Sequence, residues 1–296
     1  MNAESPIALG AHHEGHVLAW HAAMDMTDRL PARSWCVVGG GMVALHCAER
    51  NQAAARETWD VDAMLDARAY PDILMRFTTA LMDVGFRASG ESVGGHQHRW
   101  LNGQAMIDVL LPNGISERTA QRRGAQGGTT LRSPGGRQAL DRSEKVLILV
   151  GNREGYVYRP SLLGALVGKA AAHGIATDRR RDRHLIDLAI LLSLVSPRDD
   201  FSDLTARDRR YLRPALAALK PRLAELAIEH ADAGLARVED ALEASETAER
   251  MRKALAVPAG QRSRPTRTVC GVRSRYMHGP CVKPLGHDPR EGHSSV

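Results

Sequence analysis

The run Val37-Val38-Gly39-Gly40 is followed by Thr58-Trp59-Asp60-Val61-Asp62 and later by Met106-Ile107-Asp108-Val109-Leu110. The first is a short apolar stretch entering glycine, which reads as a buried strand leading into a turn. In the second, alternation puts Asp60 and Asp62 on one face of a strand and Val61 on the other. In the third, a single acid stands in an apolar run, where burial is costly unless the carboxylate is paired or binds a cation. Three carboxylates converging at a sheet edge make a hard, oxygen-rich site suited to Mg²⁺, with room for waters and substrate phosphates. Such ions can activate an attacking hydroxyl and stabilise a leaving pyrophosphate. Gly39 and Gly40 carry no side chains, so the backbone there can approach a triphosphate, and the helix amides that follow can donate to it. A glycine turn or an Asp-x-Asp strand is weak evidence alone. The ordered set is far more specific.

Outward from these runs, the spacing predicts helices over 16–26, 42–55 and 71–84 and strands over 35–38 and 59–65. Asn102-Gly103, between strand-like 96–101 and 104–111, predicts a hairpin. The glycine-rich sequence over 114–136 reads as loop, and Lys145–Val150 as a strand. Beyond Pro160 the period becomes helical, with helices expected over 161–173, 183–195, 206–219 and 223–254. The order predicts an α/β fold: a small mixed-sheet domain over 15–155, a helical domain over 156–256 and a basic tail over 257–296.

At 296 residues, with 43% hydrophobic and 25% charged residues, the chain has the makings of one or two globular domains. No apolar run is long enough for a membrane helix. The first residues lack the basic end and apolar stretch of a signal peptide, so a cytoplasmic protein without a membrane partner is expected. The tail carries seven basic residues against Asp288 and Glu291, so it holds +5 of the formal net charge of +6. That imbalance suggests an anionic partner such as nucleic acid, or else a solvated tail. Within the tail, Cys270, Cys281, His287 and His293 form a candidate tetrahedral Zn²⁺ set, with His278 as a competing ligand. Their spacing lacks the close Cys pair of a standard finger, and an incidental scatter in a basic tail is the alternative. Cys36 and Cys47 read as core.

The runs VVGGGMVALHC (37–47), RETWDVDAML (56–65) and HRWLNGQAMIDVLLP (98–112) resemble the DNA polymerase β-type nucleotidyltransferase superfamily. Within it, the chain is most similar to the AbiEii/AbiGii-type nucleotidyltransferase toxins. Gly39, Gly40, Val43, His46, Arg56, Thr58, Asp60, Asp62 and Asp108 fall on that family's pattern in order. The resemblance implies that 15–155 is a nucleotidyltransferase domain, that Asp60, Asp62 and Asp108 hold Mg²⁺, and that Gly39, Gly40 and Thr58 bind the nucleotide. It extends through LLGALVGKAAAHGIATDRRRDRHLIDLAILLSLV (162–195), where Lys169 would face the triphosphate and Asp187 would be a partner acid at the same cleft. Arg179–Arg181 and Arg183 would line the approach. The chain departs from the pattern in two places. Glu49–Arg56 looks like extra helix ahead of Asp60, and His184 stands where relatives carry an acid.

The expected activity is Mg²⁺-dependent transfer of a nucleoside monophosphate from an NTP such as ATP to an acceptor hydroxyl. The resemblance implies an RNA acceptor (tRNA in some relatives), a toxin role in a toxin–antitoxin or abortive-infection pair, and a cognate antitoxin as partner. Two alternatives stay open: modification of a small molecule such as an antibiotic, and a nucleic-acid-binding regulator that works through the Cys/His tail.

Overall fold

The computed structural model describes residues 5–10, 13–53, 58–92 and 94–255. Arg56 and the tail residues Cys270, His278, Cys281, His287 and His293 lie outside them.

Chain order is β1 (Ile7–Leu9), α1 (Glu14–Arg29), β2 (Trp35–Val38), α2 (Gly39–Glu49), β3 (Asp60–Leu65), α3 (Ile73–Asp83), β4 (Arg87–Ala88), β5 (Arg99–Asn102) and β6 (Ala105–Pro112). It continues through α4 (Glu117–Ala120), β7 (Leu131–Ser133), α5 (Gly136–Asp141), β8 (Ser143–Val150) and β9 (Arg153–Pro160). The helices α6 (Leu162–His173), α7 (Asp182–Ser193), α8 (Ala206–Leu219), α9 (Leu223–Leu226) and α10 (Ala231–Leu255) follow. The α/β class expected from the sequence is the one observed.

The sheet that positions the acids is mixed and runs β2-β3-β6-β5-β4, with β7 paired to β6 beyond the end of β5. β2 is antiparallel to β3, which is parallel to β6. A second sheet, β1-β8-β9, joins parallel β1 to the long hairpin of β8 and β9. The central strands are apolar because both faces are covered: Trp35, Val37, Val61 and Ala63 join the main core, and Cys36 and Met64 pack with Ala139, Leu140 and Tyr158 on the other side. Trp20 of α1, Trp35, Phe77, Phe86 and Trp100 are all fully buried. Trp35 meets Phe77 edge-on at 5.5 Å, a favoured aromatic geometry. α6 and α7 add Leu166, Leu188 and Leu191 to the same core.

Several boundaries differ from the expected ones, each for a local reason. α2 starts at Gly39 and stops at Glu49, because Asn51 adopts a left-handed backbone (φ 54°) and ends the helix. The expected extra helix through 56 is therefore absent from the described part of that stretch. The hairpin turn is Gly103-Gln104, with Asn102 opposite Ala105, one residue later than expected. Gly103 supplies the positive φ (56°) that the turn requires. The expected loop over 114–136 contains α4 and β7, and α5 begins at its last residue. β9 is a strand that the sequence pattern does not announce, because its alternation, Arg-Glu-Gly-Tyr-Val-Tyr-Arg, is mostly polar. The expected helix over 223–254 is broken by left-handed Ala227 (φ 50°) and His230 (φ 64°).

Candidate active site

The parallel pairing of β3 with β6 sets Asp62 directly beside Asp108, and the two-residue period brings Asp60 to the same face. One carboxylate oxygen from each lies within 4.8 Å of the others. Such a set of hard oxygen donors fits Mg²⁺ or Mn²⁺. Burial raises the Asp62 pKa to about 7, helped by the charges of Asp60 and Asp108 and opposed by Lys169 and Arg183. The group is thus short of positive charge, which a divalent ion would supply. Thr58 donates its hydroxyl to Asp60 Oδ1 at 3.0 Å.

Gly39 is needed here for a steric reason as well. A Cβ at this position would lie 1.7 Å from Asp62 Oδ2, and the backbone φ is 66°. Only glycine allows the strand-to-helix turn to pass over the carboxylate. Val38 provides no side-chain cap for α2, which leaves the amides of its first turn available to an anion.

Asp108 is held by a partner that sequence reasoning missed. Arg99 stands opposite it in the β5–β6 ladder and makes a forked pair, Nε to Oδ1 at 2.9 Å and Nη2 to Oδ2 at 2.7 Å. An Arg on the strand before the acid was visible in the sequence. The register that makes them cross-strand neighbours depends on where the turn falls.

A cavity of about 450 Å³ opens over the acids. Its lining includes Gly39, Gly40, Thr58, Lys169, Arg183 and His184 beside the three Asp. That volume lies within the ordinary range for small-molecule sites. Lys169 is buried and ion-paired with fully buried Asp187 at 2.6 Å, so Asp187 stands behind the lysine and outside the cavity lining. Arg183 is half-exposed, 3.4 Å from Asp178. Arg179–Arg181 are absent from the cavity wall, and Arg179 through Arg181 are exposed. His184 hydrogen-bonds Asp178 through Nε2 at 3.1 Å, and burial with nearby Lys169 and Arg183 lowers its pKa to about 4. It therefore contributes a neutral imidazole.

His46 lies apart from the cavity lining and supports the fold. Its buried ring donates from Nε2 to the Pro160 carbonyl at 3.1 Å and accepts at Nδ1 from Arg159 at 2.8 Å. Burial and the Arg159 charge hold its pKa well below the usual imidazole value. Cys36 and Cys47 are buried free thiols with raised pKa values, as core cysteines should be.

No protein-family model matches the chain, and no curated protein matches it. Among solved structures, it is similar to an antigenic nucleotidyltransferase-like protein from Paracoccidioides brasiliensis. The identity is 14%, the TM-score is 0.43, and the match covers 71% of this chain and 91% of that one. Among the described residues, no helix is long and apolar enough to cross a membrane.

Proposed function

We propose that the chain is a metal-dependent nucleotidyltransferase that moves a nucleoside monophosphate from an NTP to an acceptor hydroxyl. The observation that carries this reading is three carboxylates within 4.8 Å at a cavity that also presents Lys169, Arg183 and an uncapped helix start. Asp60, Asp62 and Asp108 would hold Mg²⁺, which when bound supplies charge neutralisation and activation of the attacking oxygen. Gly39 and Gly40 let the triphosphate approach the first amides of α2. Lys169 uses one of its three donors on Asp187 and has the others for phosphate oxygens. The Asp187 carboxylate thereby positions the ammonium. Asp108 would complete the metal site and act as base toward the acceptor hydroxyl.

The sequence resemblance extends the proposal to an RNA acceptor, tRNA among them, and to a toxin with a cognate antitoxin. The residues over 15–155 would carry the chemistry, and those over 156–256 would add Lys169 and its support. The test is transfer of label from each α-labelled NTP to total RNA by the wild type and by the Asp60→Ala, Asp62→Ala double variant. A labelled tRNA-sized band that needs Mg²⁺ and both acids supports the reading. Label on a small molecule instead would keep the chemistry and replace the acceptor, and no label on either would sink the proposal.

A further inference from the structure

The three acids are not balanced alike. Asp108 has both carboxylate oxygens engaged by the Arg99 fork, and the charges of Asp60 and Asp62 also favour the Arg99 cation. A forked guanidinium takes one lone-pair direction on each carboxylate oxygen, and a metal ion on Asp108 competes for the same oxygens. A dication among the triad would in addition repel the guanidinium at close range. The two partners differ in freedom: the Arg99 side chain is 43% exposed and that of Asp108 only 10%. The arginine is the partner that can leave, and it already lines the cavity with Lys169 and Arg183.

We propose that Arg99 is a resident counter-cation for the triad, that a divalent ion displaces it from Asp108, and that the freed guanidinium then contacts the phosphates of the bound nucleotide. The inference rests on the metal-site reading above. Metal loading and substrate contact are thereby one exchange. Arg99 keeps Asp108 neutralised while the metal is absent, then presents a planar, permanently charged donor set to phosphate oxygens. Arg99 is a positioning residue for Asp108 in the first state and a substrate contact in the second.

The test measures Mn²⁺ binding to metal-free protein by electron paramagnetic resonance, with no nucleotide present. The proteins are wild type, R99Q, R99K and D62N. R99Q should bind Mn²⁺ about tenfold more tightly than wild type, a size ordinary for two coupled sites. R99K, which keeps the charge but loses the fork, should fall between them. At saturating Mn²⁺, R99Q should bind a non-hydrolysable NTP analogue about tenfold more weakly. Those opposite signs are the signature, because loss of a mere structural brace would weaken both. R99Q binding Mn²⁺ equally or more weakly overturns the exchange while leaving the metal site standing, and unchanged analogue binding overturns the substrate contact. Absence of Mn²⁺ binding in the wild type, or binding unaffected by D62N, removes the metal reading and this proposal together. As a check free of substitution effects on folding, the Arg99 Nε–H resonance of the wild type, assigned with R99K, should shift on adding Mg²⁺. An unmoved resonance at saturation refutes the displacement.

Discussion

Two charged clusters meet at this cavity and are built on opposite principles. In the Lys169–Asp187 pair, each charge has its complement at 2.6 Å and both residues are buried. In the Asp60, Asp62 and Asp108 group, three acids stand together and the closest cation, Arg99, engages only Asp108 through hydrogen bonds. Arg142 and Asp208 repeat the first pattern at 2.8 Å, with Asp208 fully buried and also accepting from the Thr205 amide and hydroxyl. Balanced buried charges lock elements together, since removing one partner strands the other. Unbalanced ones cost stability and persist where a ligand completes them.

The contrast breaks most visibly in activity. Asp62→Asn should lower nucleotidyl transfer by roughly 10³-fold or more, as expected when a group that stabilises transition-state charge is lost. Its metal-free melting temperature at pH 8 should be no lower than that of the wild type, because the change removes like-charge repulsion. A folded, fully active Asp62→Asn would end the metal reading. The opposite signature is expected of Asp187→Ala. That change strands the buried Lys169 ammonium and should cost about 3–5 kcal/mol in urea unfolding. A cost under about 1 kcal/mol would show that the pair is not a lock.

Titration sharpens the comparison further. The Asp62 pKa is raised from 3.8 to about 7, so between roughly pH 4 and 7 the native state keeps a proton that the unfolded chain has lost. Metal-free stability from this group therefore falls as pH rises through that window. His184, lowered from 6.5 to about 4, works with the reverse sign: its contribution is present above pH 6.5 and is lost as pH falls towards 4. The stability advantage of Asp62→Asn over wild type should consequently grow from pH 4 to pH 7 and then level off. A difference that stays flat across the range would contradict the crowding of the acids. By the same logic, Mg²⁺ should raise the melting temperature more at pH 8 than at pH 5.5.

The smallest effect is expected on the surface. Lys220 and Glu239 pair at 3.1 Å with side chains 61% and 38% exposed. Lys220→Ala should cost no more than about 1 kcal/mol. A larger loss would mean that exposure is a poor guide to which charges hold this fold together.

Much of the site was legible in the sequence because its chemistry is local. Asp60 and Asp62 share a face through strand periodicity alone, and Gly39 announces a turn through composition. Lys169 stood out as a cation in an otherwise apolar helix, and it does reach the cavity. The steric need for Gly39 was hidden, because the atom it makes way for, Asp62 Oδ2, lies 23 residues along the chain. His46 was legible as part of a motif, but its work on Pro160 and Arg159 depends on a hairpin that the polar alternation of β9 concealed.

Arg99 shows where local reading stops. Hairpin strands were evident from Arg99-Trp100-Leu101 and the apolar run around Asp108, but a turn at Asn102-Gly103 would have set Asp108 opposite Gln97. The observed turn at Gly103-Gln104 sets it opposite Arg99. By itself, the sequence determined the α/β class, the identity of the three acids and the glycine turn beside them, because periodicity and composition act over a few residues. Tertiary structure alone decided which strand lies parallel to which, which cation faces each acid and which buried charges are matched. Those outcomes depend on register and packing between segments far apart in the chain, where a two-residue shift changes the partner of every side chain on a face.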